Sequence, residues 1–319
     1  MEVYRWDLDK TYLATDFDSV RGLVRSALES PHAKRNVPGS GALLRALSAR
    51  PHTKVVILSG SPTQMRATLS EKLRLDGIRY DELHLKDNLN NLRRGRFRAV
   101  KGQFGYKLPA LLTGRMGMGP EHSETLFGDD AEVDALVYSV FADAIAGRLT
   151  PAEVQRIMEA GKAYPDRIQT ALDALEQVER HDAVERIFIR IERGIPPRIF
   201  RNLGARLVPV YSWFQAALVL YGAERLSAKQ VQSVALEVIA AGQGDLALGN
   251  LFQDIVRRGH VPLSRMATLV DELQDARLAE LIARCRKRVR WLGDEDSRYR
   301  PPAPPSSVDY LRLLHHFHK

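Results

Sequence analysis

The sequence predicts an α/β protein: a doubly wound, mostly parallel sheet without a large cap, followed by an all-helical C-terminal domain. Three observations support this fold class. Short β-type runs alternate with helical patterns through the first 195 residues, as they do in βαβ units. The runs 55–58 and 187–189 are wholly apolar, which is typical of strands buried on both faces of a sheet. Beyond residue 195, helical patterns follow one another without strands.

The predicted elements of the first part alternate along the chain. The β-type runs are 2–8, 54–58, 82–85, 124–127 and 186–192, and helical patterns lie near 39–49, 62–75, 106–113 and 131–146. Thr11 and Ser59 are 48 residues apart, as are Ser59 and Lys107. Because neither interval contains a long insert, we expect no large lid domain, and an open site accepts bulky substrates.

The helical part is predicted from helix-start signals and composition. Thr150-x-x-Glu153 and Ser227-x-x-Gln230 are capping boxes, and Ser264 is a weaker third start. The apolar stretch 207–223 is interpreted as a helix that is either core or an interfacial segment; its 17 residues are too few to span a membrane. The domains are therefore predicted as 1–195 (α/β), 196–300 (helical) and 301–319 (Pro-rich linker and short tail).

Composition limits the class of protein and of partner. The chain has 319 residues with a formal net charge of +8, which favours anionic partners. Cys285 is the single cysteine, so an internal disulfide and a multi-thiolate zinc site are excluded. The charged first nine residues contain no apolar h-region, so no secretory signal is predicted. We expect a cytoplasmic protein that can also lie peripherally at a membrane.

The first chemical motif, Asp7-Leu8-Asp9-Lys10-Thr11, directly follows a predicted strand. Side chains two apart on a strand leave the same face, so Asp7 and Asp9 can converge on one reacting group. One carboxylate can act as nucleophile and the other as proton donor, the division that covalent phosphoryl transfer requires. Adjacent carboxylates repel, so a divalent cation is also expected. The alternative interpretation is a loop or a helix cap.

The second motif, Ser59-Gly60-Ser61-Pro62-Thr63-Gln64, follows another predicted strand. Ser61 as N-cap, with Pro62 and Gln64 after it, predicts a helix start. The free N–H groups of such a start, together with the hydroxyl of Ser59, can bind a phosphate. A purely structural cap would explain Ser61 and leave Ser59 and Gly60 unexplained.

Two further features complete the set. Lys107 opens a predicted helix, where a fixed ammonium can neutralise both a phosphate and an acid cluster; Lys101 is a nearby competitor. Asp129 lies where the carboxyl end of a strand meets the crevice of an open sheet, and its oxygens suit Mg²⁺. Asp130 and Glu132 can instead be favourable charges in the first turn of the next helix.

In this order the features resemble the haloacid dehalogenase superfamily of phosphatases and phosphotransferases, over residues 7–134. A closer likeness, to the actin-patch type of phosphatidate phosphatase, rests on the segments 59–62, 83–87, 128–138 and 187–190. The chain differs from that family in having Lys10 where members carry a third acid. It also has Gly60 and Thr63 where members carry serine and tryptophan.

The resemblance implies a role for each matching residue. Asp7 would be the nucleophile and Asp9 the general acid and base. Ser59 and Gly60 would hold the phosphoryl oxygens, and Lys107 would stabilise their charge.

The resemblance also implies a metal site. Mg²⁺ would be bound by Asp7, by Asp9 through its backbone carbonyl, and by Asp129. Asp134 would be an additional ligand or would support the others, and Thr11 would brace the loop.

The predicted function is a Mg²⁺-dependent phosphatase that hydrolyses a phosphomonoester through an aspartyl phosphate. The close likeness favours a phosphatidate-like lipid or an anionic membrane surface as partner, in preference to nucleic acid. The alternatives are a soluble phosphatase acting on phosphorylated protein, sugar or nucleic-acid ends, and a weakly catalytic interaction protein. An ATP-driven kinase is disfavoured because the sequence contains no P-loop motif.

The helical part carries a basic run that ends at Trp291. Its members are Arg284, Arg286, Lys287, Arg288 and Arg290. Such a run can bind an anionic surface, or it can be a solvated helix face whose arginine stems cover apolar surface. We expect the helical part to select the substrate and not to perform chemistry.

Overall fold

A computed structural model describes residues 1–15, 29–86, 104–131, 133–293, 299–301 and 307–317. Of residues 315–317 it describes the backbone alone. Several sequence predictions fall outside this part of the chain: the competing Lys101, the first-turn charge Glu132, Asp87 of the 83–87 segment, and the prolines of the linker after Pro301.

Six strands form one parallel sheet in the order β3-β2-β1-β4-β5-β6. The strands are β1 (Glu2–Asp7), β2 (Thr53–Pro62), β3 (Glu82–Lys86), β4 (Ser123–Asp129), β5 (Val184–Arg190) and β6 (Leu207–Val210). The chain winds outward from β1 to β3 and then returns to β4 on the other side of β1. The predicted doubly wound fold is confirmed, with its topological switch point between β1 and β4.

Helices cover both faces of the sheet. Between the strands lie α1 (Ser40–Ser48), α2 (Arg66–Leu75), α3 (Phe104–Thr113), α4 (Asp134–Ile145), α5 (Pro151–Ala160) and α6 (Pro165–Gln177). After β6 come α7 (Trp213–Gly222), α8 (Ala228–Ala240), α9 (Asp245–Arg257), α10 (Leu263–Glu272), α11 (Ala279–Leu292) and α12 (Tyr310–Phe317). The predicted helical C-terminal region is confirmed.

Alternating side chains of the strands pack into two separate cores. On one face, Trp6 and Phe127 stack with ring centroids 4.1 Å apart, and Phe188 and Trp213 continue this aromatic cluster beneath α1, α2 and α7 to α11. On the other face, strand residues such as Leu126 pack against α3 to α6 and α12. The first core thus combines residues from both sides of the predicted boundary at residue 195.

Strand β6 corrects the interpretation of 207–223 as one helix. Residues 207–210 pair in parallel with 187–190 of β5, and helix α7 begins only at Trp213. β6 is the edge strand of the sheet. Pro209 is tolerated there because no further strand needs the N–H group that a proline lacks. The remainder of the stretch is buried from Trp213 to Tyr221, which favours core over an interfacial segment.

The predicted helix caps are partly confirmed. Thr150 with Glu153, and Ser227 with Gln230, form reciprocal capping boxes at α5 and α8. The other two predictions are wrong. Ser264 lies inside α10, which begins at Leu263 after Pro262. Ser61 belongs to β2, and a 3₁₀ turn (Thr63–Met65) follows it, because the Ser61 hydroxyl is engaged elsewhere.

Candidate active site

The sequence motifs meet at the carboxyl edge of the sheet, around the switch point. Asp7 is the last residue of β1, Asp129 is the last residue of β4, and Ser59 lies in the carboxyl-terminal half of β2. Parallel strands place these ends at one edge, and the reversal of strand order opens a crevice between β1 and β4. Asp7, Ser59 and Asp129 are each at most 1% exposed.

A buried ion-pair network joins Lys107 to two of the carboxylates. Its Nζ lies 2.7 Å from Oδ1 of Asp7 and 2.5 Å from Oδ1 of Asp134. Lys107 projects from the first turn of α3, and Asp134 is the first residue of α4. Because all three side chains are almost fully buried, little water screens their attraction.

Three carboxylates come close enough to hold one cation. Oxygens of Asp7, Asp129 and Asp134 all lie within 4.8 Å of one another. The hydroxyl of Thr11 donates to Oδ2 of Asp129 at 2.9 Å, which orients that carboxylate. With Lys107 the cluster has a formal charge of −2, which one divalent ion balances. Hard oxygen donors of this kind fit Mg²⁺.

Asp9 accepts hydrogen bonds from two serines. The hydroxyls of Ser59 and Ser61 each donate to its Oδ2 at 3.0 Å, and the hydroxyl of Thr15 lies 3.3 Å from its Oδ1. The backbone N–H of Ser61 in turn donates to the Ser59 hydroxyl at 3.0 Å. Asp7 and Asp9 therefore have different partners: Asp7 contacts the ammonium of Lys107, whereas Asp9 accepts hydrogen bonds from hydroxyl groups and also interacts electrostatically with Lys34.

The loop between Asp7 and Leu13 turns tightly. Lys10 has φ 59°, in the left-handed region, and the N–H groups of Tyr12 and Leu13 both donate to the carbonyl of Leu8. Arg190 at the end of β5 donates twice to the Lys10 carbonyl, at 2.8 and 3.0 Å. The indole of Trp213 donates to the Thr11 carbonyl at 2.9 Å. These bonds fix the strained loop from two neighbouring elements.

Gly128 allows α4 to approach the end of β4. A Cβ at this position would lie 2.5 Å from Oδ2 of Asp134 and 2.8 Å from the ring of Tyr138. The Tyr138 hydroxyl donates to the carbonyl of Phe127 at 3.3 Å, and complete burial raises its pKa well above the ordinary value. Tyr138 is therefore a neutral packing residue behind Asp134.

Asp130 points away from the carboxylate cluster. Its two oxygens accept hydrogen bonds from the backbone N–H groups of Glu192, Arg193 and Ile195. This residue anchors the segment that follows β5, and it is not a charge in the first turn of α4, because that helix begins at Asp134.

Sequence reasoning missed the direct roles of three residues. Ser61 shares the extended end of β2 with Ser59, and their spacing of two was the available signal. The sequence indicates Arg190 only as part of a family-like strand. Trp213 lies 202 residues from its partner Thr11, so no local pattern could have indicated the contact.

The basic run does not join the site. On α11, Arg284 pairs with Glu280 at 2.7 Å, and Arg286 lies 3.5 Å from Asp271. The guanidinium of Arg288 donates to Gln253 and Asn250 of α9. Because these arginines pair with neighbouring side chains, the structure favours the interpretation of the basic run as a solvated helix face.

Ligands of open parallel α/β sheets bind at such a switch point, and a fixed ammonium there can stabilise the charge of a transferring phosphoryl group. Residues 6–156 match the family model described as phosphatidate phosphatase APP1, catalytic domain. This match confirms the predicted family resemblance and supports phosphatase activity; it covers the α/β part as far as α5. No curated protein and no solved structure matches the chain. None of the helices in the described ranges is long and apolar enough to cross a bilayer.

Proposed function

We propose that the protein is a Mg²⁺-dependent phosphatase that hydrolyses a phosphomonoester through an aspartyl phosphate on Asp7. The observation that carries the proposal is the buried cluster of Asp7, Asp129 and Asp134, in which Lys107 contacts both Asp7 and Asp134. Burying a carboxylate lowers the stability of the folded state unless the group is paired. Clusters of buried ionisable groups are therefore found preferentially at functional sites. The match of residues 6–156 to a phosphatase family model supports the same function.

Asp7 is the nucleophile in this proposal. One of its carboxylate oxygens attacks phosphorus, the bond to the ester oxygen breaks, and the phosphoryl group is carried by Asp7. Lys107 holds the carboxylate in one orientation from 2.7 Å and offsets negative charge that develops beside it.

Asp9 is the general acid and base. In the first step its protonated carboxyl gives a proton to the departing alkoxide, and in the second step its carboxylate takes a proton from the attacking water. The two serine hydroxyls on its Oδ2 hold the group in place while its charge changes. Rotation of the Ser59 hydroxyl toward substrate, together with the N–H of Gly60, would bind the phosphoryl oxygens.

Asp7, Asp129 and the Asp9 backbone carbonyl would hold Mg²⁺, with Asp134 close by. When bound, the ion neutralises phosphoryl oxygens and so lowers the repulsion that the Asp7 carboxylate meets. Thr11 and the N–H of Ala131 contribute by fixing both oxygens of Asp129, at 2.9 and 2.6 Å.

A phosphatidate-like lipid is the substrate class that the family match favours. The net charge of +8 also favours an anionic surface over a neutral one. Soluble phosphomonoesters are the competing substrates, and they are therefore included in the test below.

The test is phosphate release by the full chain with Mg²⁺ from phosphatidate in mixed micelles, a nucleoside monophosphate, a sugar phosphate and a phosphopeptide. We expect the highest kcat/KM with phosphatidate, loss of activity in excess chelator, and recovery on adding Mg²⁺. The Asp7→Asn variant should lose about three orders of magnitude or more. Asp173→Asn, at an exposed carboxylate on α6, is the matched control and should retain full activity.

The covalent step has its own readout. Rapid acid quenching during turnover, followed by hydroxylamine, should convert an acyl phosphate at Asp7 to a hydroxamate that mass spectrometry locates. An active enzyme that is labelled at another residue, or not at all, contradicts the role of Asp7. Activity that survives chelation contradicts the metal requirement separately.

A further inference from the structure

A second charged cavity lies at the opposite, amino edge of the sheet. Its volume is about 320 Å³, and its lining includes Val184, the first residue of β5, and Arg206, the residue before β6. Leu220 and Ala223, at the end of α7, close it on one side. Asp7 and Asp129 lie at the carboxyl edge of the same sheet, so the two sites are distinct.

Two arginines of this cavity are buried more than nine-tenths. Arg206 is 2% exposed and Arg186 is 6% exposed. Nη1 of Arg206 donates to Asp182 at 3.0 Å, whereas its Nε and Nη2 are buried without a hydrogen-bond partner among the described residues. Nη1 of Arg186 is likewise buried without a hydrogen-bond partner among the described residues. A buried donor that makes no hydrogen bond costs free energy, so these groups favour an acceptor.

The cavity's own carboxylates are already engaged. Asp182 accepts from Arg148 as well as from Arg206, both at 3.0 Å. Glu185 pairs with Arg225, the third arginine of the lining.

Arg186 forms no salt bridge within the described part of the chain. Burial lowers the pKa of its guanidinium, and burial does the same for Arg206.

We infer that this cavity binds a phosphate group, as inorganic phosphate or as the phosphate of a small soluble monoester. Guanidinium groups present paired N–H donors whose geometry matches phosphate oxygens, and three of them line one cavity. The volume of the cavity lies at the lower end of the range for small-molecule sites, which suits inorganic phosphate or a small monoester. Tyr299 also lines the cavity, within hydrogen-bond reach of Arg186.

The test compares phosphate binding by the wild-type chain and by Arg186→Met, using isothermal titration calorimetry with inorganic phosphate. Any binding in the catalytic crevice is common to both proteins, so the difference isolates the cavity. We expect wild type to bind one equivalent more, or the cavity affinity to fall at least tenfold in the variant. Arg156→Met, at an exposed arginine on α5, removes the same charge and should bind as wild type does.

Three further arms make the outcome decisive. Arg186→Lys keeps the charge and loses the paired donors, so its cavity affinity should lie between those of wild type and Arg186→Met. Glycerol 3-phosphate and inorganic phosphate are each titrated into the Asp7→Asn protein, which does not hydrolyse the ester. The ligand that binds the cavity more tightly shows whether the site prefers a monoester or free phosphate. Equal stoichiometry and affinity in wild type and Arg186→Met, or an equal loss in Arg156→Met, overturns the inference.

Discussion

In the described chain, every fully buried charged side chain lies before residue 207. Beyond that point the fully buried polar residues are Ser212 and Gln215, and the imidazole of His260 is partly buried. The α/β part buries acids and bases on both edges of its sheet. The helices from α7 onward are held by apolar side chains such as Leu248, Phe252 and Met266. Both parts contribute to the core on one face of the sheet, but only the α/β part also buries charged side chains.

This difference separates support from chemistry. Apolar packing is non-directional and stabilises in proportion to buried area, so it can build a stable face without any reactive group. A buried charge is costly and is kept where a specific partner or reaction needs it. The helical part reaches the site through one polar contact in the described residues, the bond from Trp213 to the Thr11 carbonyl. The following predictions test how complete this division is.

The largest effect is expected from Lys107→Met. The variant leaves Asp7 and Asp134 without the ammonium that lies 2.7 and 2.5 Å from them, and breaking such a buried pair costs about 3–5 kcal/mol of unfolding free energy. Phosphatase activity should fall by orders of magnitude. Urea unfolding in chelator and in Mg²⁺ measures the cost, and the ion should recover part of it.

The control for Lys107→Met is Lys229→Met, at an exposed lysine on α8. It should change the unfolding free energy by less than about 0.5 kcal/mol. Equal stability of the Lys107 variant with and without Mg²⁺ would argue against a metal at the carboxylate cluster.

Trp213→Phe tests the one polar link from the helical part. The variant keeps an aromatic ring in the core and leaves the Thr11 carbonyl without its donor, at a cost of about 1–3 kcal/mol. Because Thr11 orients Asp129, we expect a lower affinity for Mg²⁺ together with a lower kcat. The measurement is activity as a function of Mg²⁺ concentration.

Trp291→Phe is the matched change. Trp291 is 62% exposed, and its ring lies 4.5 Å beneath the guanidinium of Arg257, far from the loop. This variant should keep the wild-type Mg²⁺ dependence. A shift as large as that of Trp213→Phe would mean that the helical part acts on the site by another route.

His260 should make the stability of the protein sensitive to acid. Burial, with the charges of Arg258 and Arg186, lowers the pKa of His260 to about 3. Between that value and its ordinary pKa of about 6.5, the unfolded chain binds a proton that the folded chain does not, so stability falls as pH falls. We expect about 1–2 kcal/mol less stability at pH 5 than at pH 7 from this group.

Denaturant unfolding of His260→Asn at the two pH values measures that share, since the variant should lose this part of the slope. His52→Asn removes an exposed imidazole and should leave the slope unchanged. If stability depends on pH equally in all three proteins, the folded state binds a proton at His260 as readily as the unfolded state does, and the prediction is wrong.

The smallest effect concerns the helix caps. Ser227→Ala removes the acceptor for the N–H of Gln230 and should cost about 1 kcal/mol. Ser264→Ala is the same substitution inside α10, where the serine is not the cap, and should change stability by less than about 0.5 kcal/mol. Thermal unfolding of both variants compares the two, and equal losses would remove the distinction between a true and an apparent cap.

Much of this protein follows from local sequence. The alternation of apolar runs and helical patterns determined five of the six strands, because a strand buried on both faces must be apolar wherever it lies. The order of Asp7, Ser59, Lys107 and Asp129 determined the location of the candidate site, because parallel strands bring their carboxyl ends to one edge. The capping boxes at Thr150 and Ser227 were determined by four-residue patterns that need no tertiary contact.

Only the tertiary structure decided the remainder. Residues 207–210 are a strand because the edge of β5 offers hydrogen bonds to them, and their apolar sequence suits a buried helix equally well. Ser61 binds Asp9, 52 residues away, and so does not cap a helix. Trp213 and Arg190 donate hydrogen bonds to the loop between Asp7 and Leu13 from about 180 residues or more along the chain. Such pairings depend on which surfaces the fold brings together, and that information is absent from any local pattern.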